Sequence, residues 1–409
     1  MLPKEVLENV LFEQKQTLLE KETGMLREEK SEIHYIDNYA MIISGIRRCG
    51  KSTLIHQILQ NDYPQALYFN FDDPRLFDFE MSDFTKLDNI ITQLGEQVLM
   101  FDEIQVVKGW ERYIRQKLDQ NYKVFVTGSN ASLLSIELGT SLTGRHITKE
   151  LFPFSYKEFC LFTANNNNET SVIEYMKQGG FPEFLKNHSE ETLTHLLDDI
   201  LFRDIAARYG IKDAKALKRL TVYLLANIGN LTSANKLKEP SGINSTTTIL
   251  EYMSHLEQSY LLSFVSMYDQ SLKKQAVNPK KIYAIDLGLV TANVFKTKGD
   301  DGHKLENMVF NALRRQYKEI YYHKIKSECD FLVMEKGSML PPIQVCLNLN
   351  VDNQKREFDG LLEAMKQHNQ KEGLIVTLSQ KDDFEIDGLK IKVVPSYDFL
   401  SNPKFEALI

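Results

Sequence analysis

The sequence predicts an α/β protein of several domains: an open, mostly parallel sheet, then a winged-helix domain, then a second α/β unit over the last third. Three observations predict it. Four short apolar runs alternate with helix-compatible segments through residue 130; the turn GIRRCGKS follows the first run; and residues 232–265 read helix, turn, helix, strand.

At 409 residues the chain exceeds what one core of about 100–200 residues supports, so several domains are expected. With 43% hydrophobic and 26% charged residues a packed core can form, which excludes a mainly disordered chain. A net charge of -7 argues against a surface that is wholly a nucleic-acid footprint and leaves room only for a local basic patch. Lys4, Glu5 and Glu8 interrupt any signal-peptide core, and no window approaches the roughly 18 apolar residues of a membrane helix. The cytoplasm is the expected compartment, with no membrane contact. Cys49, Cys160, Cys329 and Cys346 lie far apart without a C-x-x-C pair, so reduced thiols are expected rather than a disulfide or zinc framework.

Residues 4–19 place Val6, Leu7, Val10, Leu11, Leu18 and Leu19 near helical spacing, which predicts an amphipathic structural helix. The apolar runs are YAMIISG (39–45), ALYFNFDD (66–73), QVLMFDEIQ (97–105) and KVFVTGSN (123–130), with RHITKELF (145–152) as a fifth strand. Intervening helices make the sheet parallel. The strands ending at Asp102 and at Asn130 are both expected beside the phosphate strand. NNNNET (165–170) reads as a loop between subdomains, and residues 190–230 as helices, the first closed by Gly210. Pro240 and Gly242 break the chain, Ser245 or Thr246 caps, and Ile249, Leu250, Met253 and Leu256 share a face, a winged-helix pattern. Helices near 303–317 and 355–370 and strands through EGLIVTL (372–378) build the last unit. The expected boundaries are 1–164, a helical connector at 165–200, the winged helix at 201–285 and the final unit at 286–409.

Gly45, Gly50, Lys51 and Ser52 fit G-x-x-x-x-G-K-[ST]. Small residues let successive backbone N–H groups converge on an anion at a helix N-terminus, where the dipole adds to the attraction. Lys51 is expected on the β- and γ-phosphates, the Ser52 hydroxyl on Mg²⁺, and Thr53 and Arg48 in the same nucleotide-binding set. Asp102, at the end of an apolar strand about 50 residues on, is a candidate metal ligand, and Glu103 a candidate general base. Asn130, or Ser129 or Thr127 before it, is positioned to sense the γ-phosphate. Arg145 and Arg48 are candidates for stabilising transition-state charge. For Arg145, action within the chain, action on a neighbouring subunit and an ordinary surface role all remain open.

In order, SGIRRCGKSTL, FNFDDPR, FDEIQVVKGWE, VTGSN, LTGR…LFPFSYKEF, GGFPEF and RDIAARY resemble the prokaryotic AAA-type ATPases that fuse a P-loop NTPase domain to a winged helix and a C-terminal restriction-endonuclease-like domain. The resemblance spans essentially the whole chain and implies ATP and Mg²⁺ as cofactors and ATP hydrolysis as the reaction. It assigns Lys51 and Ser52 to phosphate and Mg²⁺, Asp102 to the metal, Glu103 to water activation and Asn130 to sensing. A nuclease of this kind needs an acid on one strand and a D/E-x-K pair on the next. Glu306 and Asp330 supply acids, but Gln344 and Cys346 stand where E-x-K is expected, and the spacing of Lys355 is wrong for the missing lysine. The resemblance therefore implies a nuclease-like fold without nuclease chemistry, with Glu306 and Asp330 as solvated carboxylates or lysine partners.

The would-be reading helix, Ser245 to Gln258, contains Glu251 and Glu257 and no Lys or Arg, a poor phosphate ligand. Lys212, Lys215, Lys218, Arg219, Lys236 and Lys238 flank it, and Lys273, Lys274, Lys280 and Lys281 fall where a wing would turn. These are candidates to grip a DNA backbone without reading bases, or are simply solvated. The sequence as a whole reads as an ATP-driven switch, with a partner protein or second copy as a candidate for completing the site. A DNA-binding module in which nucleotide is minor, and an active Mg²⁺-dependent nuclease, are the alternatives.

Overall fold

A computed structural model describes residues 1–20, 22–129, 144–294 and 301–405. Their contacts divide the chain into two units, 1–151 and 152–409.

In the first unit, helix α1 (Lys4–Glu20) precedes a sheet whose strands alternate with helices: β1 (Ala40–Ser44), α2 (Lys51–Asp62), β2 (Leu67–Asn70), α3 (Phe84–Leu94), β3 (Val98–Asp102), α4 (Trp110–Asp119), β4 (Lys123–Gly128) and β5 (His146–Glu150). All five strands are parallel, in the order β2-β3-β4-β1-β5. The strand ending at Asp102 is therefore not beside the phosphate strand, because β4 lies between them. Val124, Phe125 and Val126 of β4 are nearly inaccessible, as a strand covered on both faces requires. Parallel strands bring their carboxyl ends to one edge, which gathers Ser44, Asn70, Asp102 and Gly128.

One face of this sheet rests on an aromatic cluster in which Phe84 stacks on Tyr113 at 3.8 Å and Phe71 meets Phe69, Phe79 and Phe101. Each such ring contributes about 1.5–3 kcal/mol of burial. α1 adds Leu7, Val10 and Leu11 to that core, whereas Leu19, counted in its apolar stripe, is exposed. Gln14 does more than pack. Its amide oxygen accepts from Asn70 N–H at 2.8 Å and its amide nitrogen donates to Asn70 C=O at 3.1 Å, imitating a further strand on the open edge of β2.

The second unit opens with helices α5 (Tyr156–Thr163), α6 (Glu169–Gln178), α7 (Pro182–Asn187) and α8 (Glu190–Asp199), the last extended by wide π-type turns to Ala207. α5, grouped by sequence with the first domain, is tied to α6 instead: the Tyr156 hydroxyl bonds Ser171 at 2.7 Å, and Tyr175 donates to Phe154 C=O at 2.7 Å. Asn168, inside the asparagine run, caps α6. α9 (Ala214–Leu225), β6 (Leu231–Thr232), α10 (Lys238–Ser241), α11 (Thr246–Gln258), β7 (Leu262–Val265), α12 (Leu272–Val277) and β8 (Lys280–Ala284) follow. Ser245 caps α11, and the three strands pair antiparallel in the order β6-β8-β7.

After α13 (Leu287–Asn293) come α14 (Asp301–Gln316), β9 (Glu319–Lys324), β10 (Glu328–Glu335), β11 (Ser338–Met339), β12 (Ile343–Val345), α15 (Gln354–Gln367), β13 (Glu372–Thr377), β14 (Asp382–Ile386), β15 (Leu389–Pro395) and α16 (Ser396–Ser401). The strands form one mixed sheet, β11-β10-β12-β13-β15-β14 with β9 on β10. Its parallel part, β12-β13-β15, is buried, and its antiparallel part holds the hairpins.

Candidate functional site

β1 ends at Ser44, and the chain turns through residues 45–50 into α2. Gly50 occupies the N-cap with φ 105° and no side chain capping the helix. A residue with a Cβ is strained there, and the first-turn N–H groups have no acceptor within the helix. Gly45 is required for a different reason: a Cβ on it would lie 2.1 Å from Leu151 C=O and 3.1 Å from Cys49 Sγ. Leu151 N–H in turn donates to Ser44 C=O at 2.7 Å, so the chain leaving β5 presses directly on the loop. Gly45→Ala is expected to cost about 1–3 kcal/mol, because backbone rather than a flexible side chain must move. A thermal midpoint equal to the wild type's would contradict this.

A buried arginine supports the loop from outside. Arg27, 4% exposed, donates from Nη1 to Cys49 C=O at 2.7 Å and lies 3.4 Å from Glu29. Sequence reasoning missed it, since nothing local in MLREEK distinguishes this arginine from a solvated one.

Lys51 is buried at the start of α2. Its ammonium donates to Gly45 and Ile46 carbonyls at 3.1 Å each and lies 4.0 Å from Glu103. Ser52 and Thr53 line a cleft of about 510 Å³ together with His56, Tyr68, Asn70 and Asp102, and with Gln14, Thr17 and Leu18 of α1. α1, expected to be structural, thus also walls the site. Arg48 is exposed in a left-handed turn at φ 63°, whereas Arg47 next to it lies near enough to lower the proton affinity of Glu103.

Asp102 is almost inaccessible, and both its carboxylate oxygens accept hydrogen bonds: Oδ2 from the Tyr68 hydroxyl at 2.7 Å and Oδ1 from the Thr127 hydroxyl. Thr127 Oγ1 also accepts from Glu103 N–H at 3.1 Å. One threonine on the central strand β4 therefore fixes two consecutive acidic residues at the end of β3. The register explains it, since Phe101 pairs with Val126 and places the next residues of both strands at the same level. Tyr68 was not foreseen. Its position two residues before the end of β2 is visible in sequence, but its reach to the neighbouring strand is not.

Glu103 sits at φ 52° and is half-buried, with Gln105 donating to its carboxylate. Burial pushes its carboxyl up from the ordinary value; the Asp102 charge acts in the same direction and the Lys51 ammonium opposes both. Asn130 lies outside the described residues. Arg145 stands before β5, paired with Asp119 at 2.8 Å. Because β5 and β1 are parallel with Ala40 opposite His146, Arg145 is at the far end of the strands from the phosphate loop.

A hydroxyl and a carboxylate, Ser52 and Asp102, on one cleft are oxygen donors of the type that suits a hard divalent cation such as Mg²⁺. Among the described residues, no group of three or more His, Cys, Asp and Glu side chains is arranged to hold a metal on its own. A Mg²⁺ here would need oxygens from its nucleotide.

In the second unit, Glu306, Asp330 and Gln344 come together on a cavity of about 1170 Å³. Gln344 accepts from Asp330 N–H at 3.3 Å and donates to Glu357 at 2.7 Å. Cys346 is buried, which pushes its thiol up to about 12, and Lys355 is exposed on α15. Lys281, grouped by sequence with the exposed wing lysines, is buried instead and bonded to Glu306 and Asp330. Lys218 and Lys274 are likewise paired, with Asp198 at 2.5 Å and Asp269 at 3.5 Å. No described helix is long and apolar enough to cross a membrane.

The five-stranded parallel sheet, the glycine loop at its edge and the acidic pair two strands away define a P-loop nucleotide-binding domain. Residues 37–160 match the family described as an AAA domain, and residues 169–299 and 301–399 each match a domain of unknown function. An uncharacterized protein of Methanocaldococcus jannaschii is 32% identical over 393 residues, covering 90% of this chain and 84% of the relative. One from Haemophilus influenzae is 31% identical over 382 residues, covering 87% and 92%. The chain belongs to the family of these uncharacterized proteins, and its residues 37–160 are an AAA domain. A solved signal-transduction ATPase with a tetratricopeptide-repeat sensor, from Pyrococcus horikoshii, aligns at TM-score 0.29 and 13% identity over 72% of this chain, which spans 46% of that structure. That score is too low to bear on the fold, and the assignment rests on the sequence matches.

Proposed function

We propose that the protein is an ATP-hydrolysing switch. ATP docks its phosphates on the main-chain N–H groups of the loop and the first turn of α2, and Lys51 exchanges its two loop carbonyls for the β- and γ-phosphate oxygens. Ser52 and Asp102 hold Mg²⁺, which neutralises phosphate charge when bound. Tyr68 and Thr127 keep the Asp102 carboxylate oriented, and Glu103 takes a proton from the attacking water. The observation that carries this reading is the meeting of Lys51, Asp102 and Glu103 at one sheet edge, with the lysine 4.0 Å from the base. Loss of the γ-phosphate then changes how residues 152–409 are held.

The α9–β8 segment is read as a winged helix and the last sheet with α14 and α15 as a restriction-endonuclease-like core, in a protein of the cytoplasm. Its topology supports the nuclease-like reading, and its chemistry does not: Gln344 lacks the charge for a divalent cation, and Cys346 cannot replace an ammonium.

The test is ATP turnover by the full chain with and without duplex DNA and with candidate proteins. Stimulation by either identifies the output. Absence of Mg²⁺-dependent turnover under every condition overturns the proposal. Mg²⁺-dependent nicking that disappears in Asp330→Ala would overturn the inactive-nuclease part alone.

A further inference from the structure

Three acids that line the C-terminal cavity, Glu306, Glu328 and Asp330, meet a buried cation that belongs to the chain itself. Lys281 lies on β8, which pairs with β6 and β7, yet its side chain ends among acids of the following sheet. Its ammonium is 2.9 Å from Glu306 on α14, and 2.8 Å and 2.7 Å from Glu328 and Asp330 on β10. An ammonium has three N–H donors, and here three carboxylates receive them. Tyr283, two residues along β8 and so on the same face, donates to Glu306 at 2.5 Å. The second oxygen of Asp330 accepts from Val345 N–H at 2.8 Å. Lys281 is 1% exposed.

Nitrogen-to-oxygen distances of 2.7–2.9 Å are those of charge-assisted hydrogen bonds, whereas a Mg²⁺ ion draws oxygens to about 2.0–2.1 Å and Ca²⁺ to about 2.3–2.6 Å. A buried lysine would ordinarily lose its proton, but the three acids hold this one charged. Removing either partner from such a cluster leaves a buried charge unpaired.

We infer that Lys281 is a built-in counterion: its ammonium fills the point where Glu306, Glu328 and Asp330 converge and keeps a hard divalent cation off these three acids of the cavity wall. The same bonds fasten β8 to the sheet that follows. This inference is independent of the nucleotide site.

The experiment is a Mn²⁺ titration of the full chain without nucleotide, read by electron paramagnetic resonance. Wild type is expected to bind no Mn²⁺ that depends on Asp330. Lys281→Ala is expected to gain one Mn²⁺ per chain, and Lys281→Ala with Asp330→Asn to lose it again. Wild-type binding that Asp330→Asn removes, or a folded Lys281→Ala chain with no added Mn²⁺, overturns the inference. Should Lys281→Ala fail to fold, reductive methylation of the wild type decides: Lys281 stays unmodified while exposed Lys273 reacts, and equal reaction of the two overturns it.

Discussion

Lys51→Ala abolishes ATP turnover and lowers nucleotide affinity by at least about 100-fold. A hydrogen bond to a charged group contributes about 1.5–3 kcal/mol, and a buried ammonium serving two phosphates makes more than one. The alanine also takes from Glu103 the nearer of its two cations, so the acidic pair is less favourable beside a triphosphate. Stability should change far less than binding, because the lysine's hydrogen bonds go to the Gly45 and Ile46 carbonyls of its own loop and its Glu103 pair is long. Retention of a fluorescent ATP analogue and a thermal melt separate the two effects. Undiminished retention by a folded variant would remove Lys51 from the phosphate site.

Glu103→Gln is expected to bind ATP as well as the wild type and to hydrolyse it about 10²–10⁴-fold more slowly, the usual contribution of a general base. Glutamine keeps the size of the side chain, and the N–H bond to Thr127 belongs to the backbone, so the geometry at Asp102 survives. Only the ability to take a proton is lost. The pH profile gives an independent reading. The carboxyl is raised by burial, and the base must be ionised to act, so wild-type turnover falls as pH drops through a value above that of an ordinary glutamate. Below it the protonated side chain cannot accept the water proton; above it activity is full. That acid limb should vanish from the residual activity of Glu103→Gln, and its persistence would place the titrating group elsewhere.

The parts of this site that sequence reveals are those encoded locally. The loop pattern, the apolar strand ending in Asp102 and Glu103, and the alternation of runs with helices all lie within short windows, and each occupies its expected element. Strand order is not local: nothing in the run ending at Asp102 says that β4 will insert between it and β1. The same holds for Tyr68 and Arg27, and for the bond of Thr127, named from sequence as an alternative sensor, to Asp102 on the next strand. The place of Arg145 is not local either: parallel register sets it at the end of the strands away from the loop, paired with Asp119. Lys281 looked like Lys273 and Lys274 because a lysine at the start of β8 carries no sign of the acids that arrive only with α14 and β10.

The central claim is that the main chain of residues 45–52 wraps a triphosphate. A structure of the full chain with Mg²⁺ and a non-hydrolysable ATP analogue tests it most directly. The account predicts phosphate oxygens on those N–H groups, Lys51 Nζ moved from the Gly45 and Ile46 carbonyls onto the γ-phosphate, and the metal between Ser52 and Asp102. A triphosphate bound elsewhere, with Lys51 still on its own loop carbonyls, would contradict it.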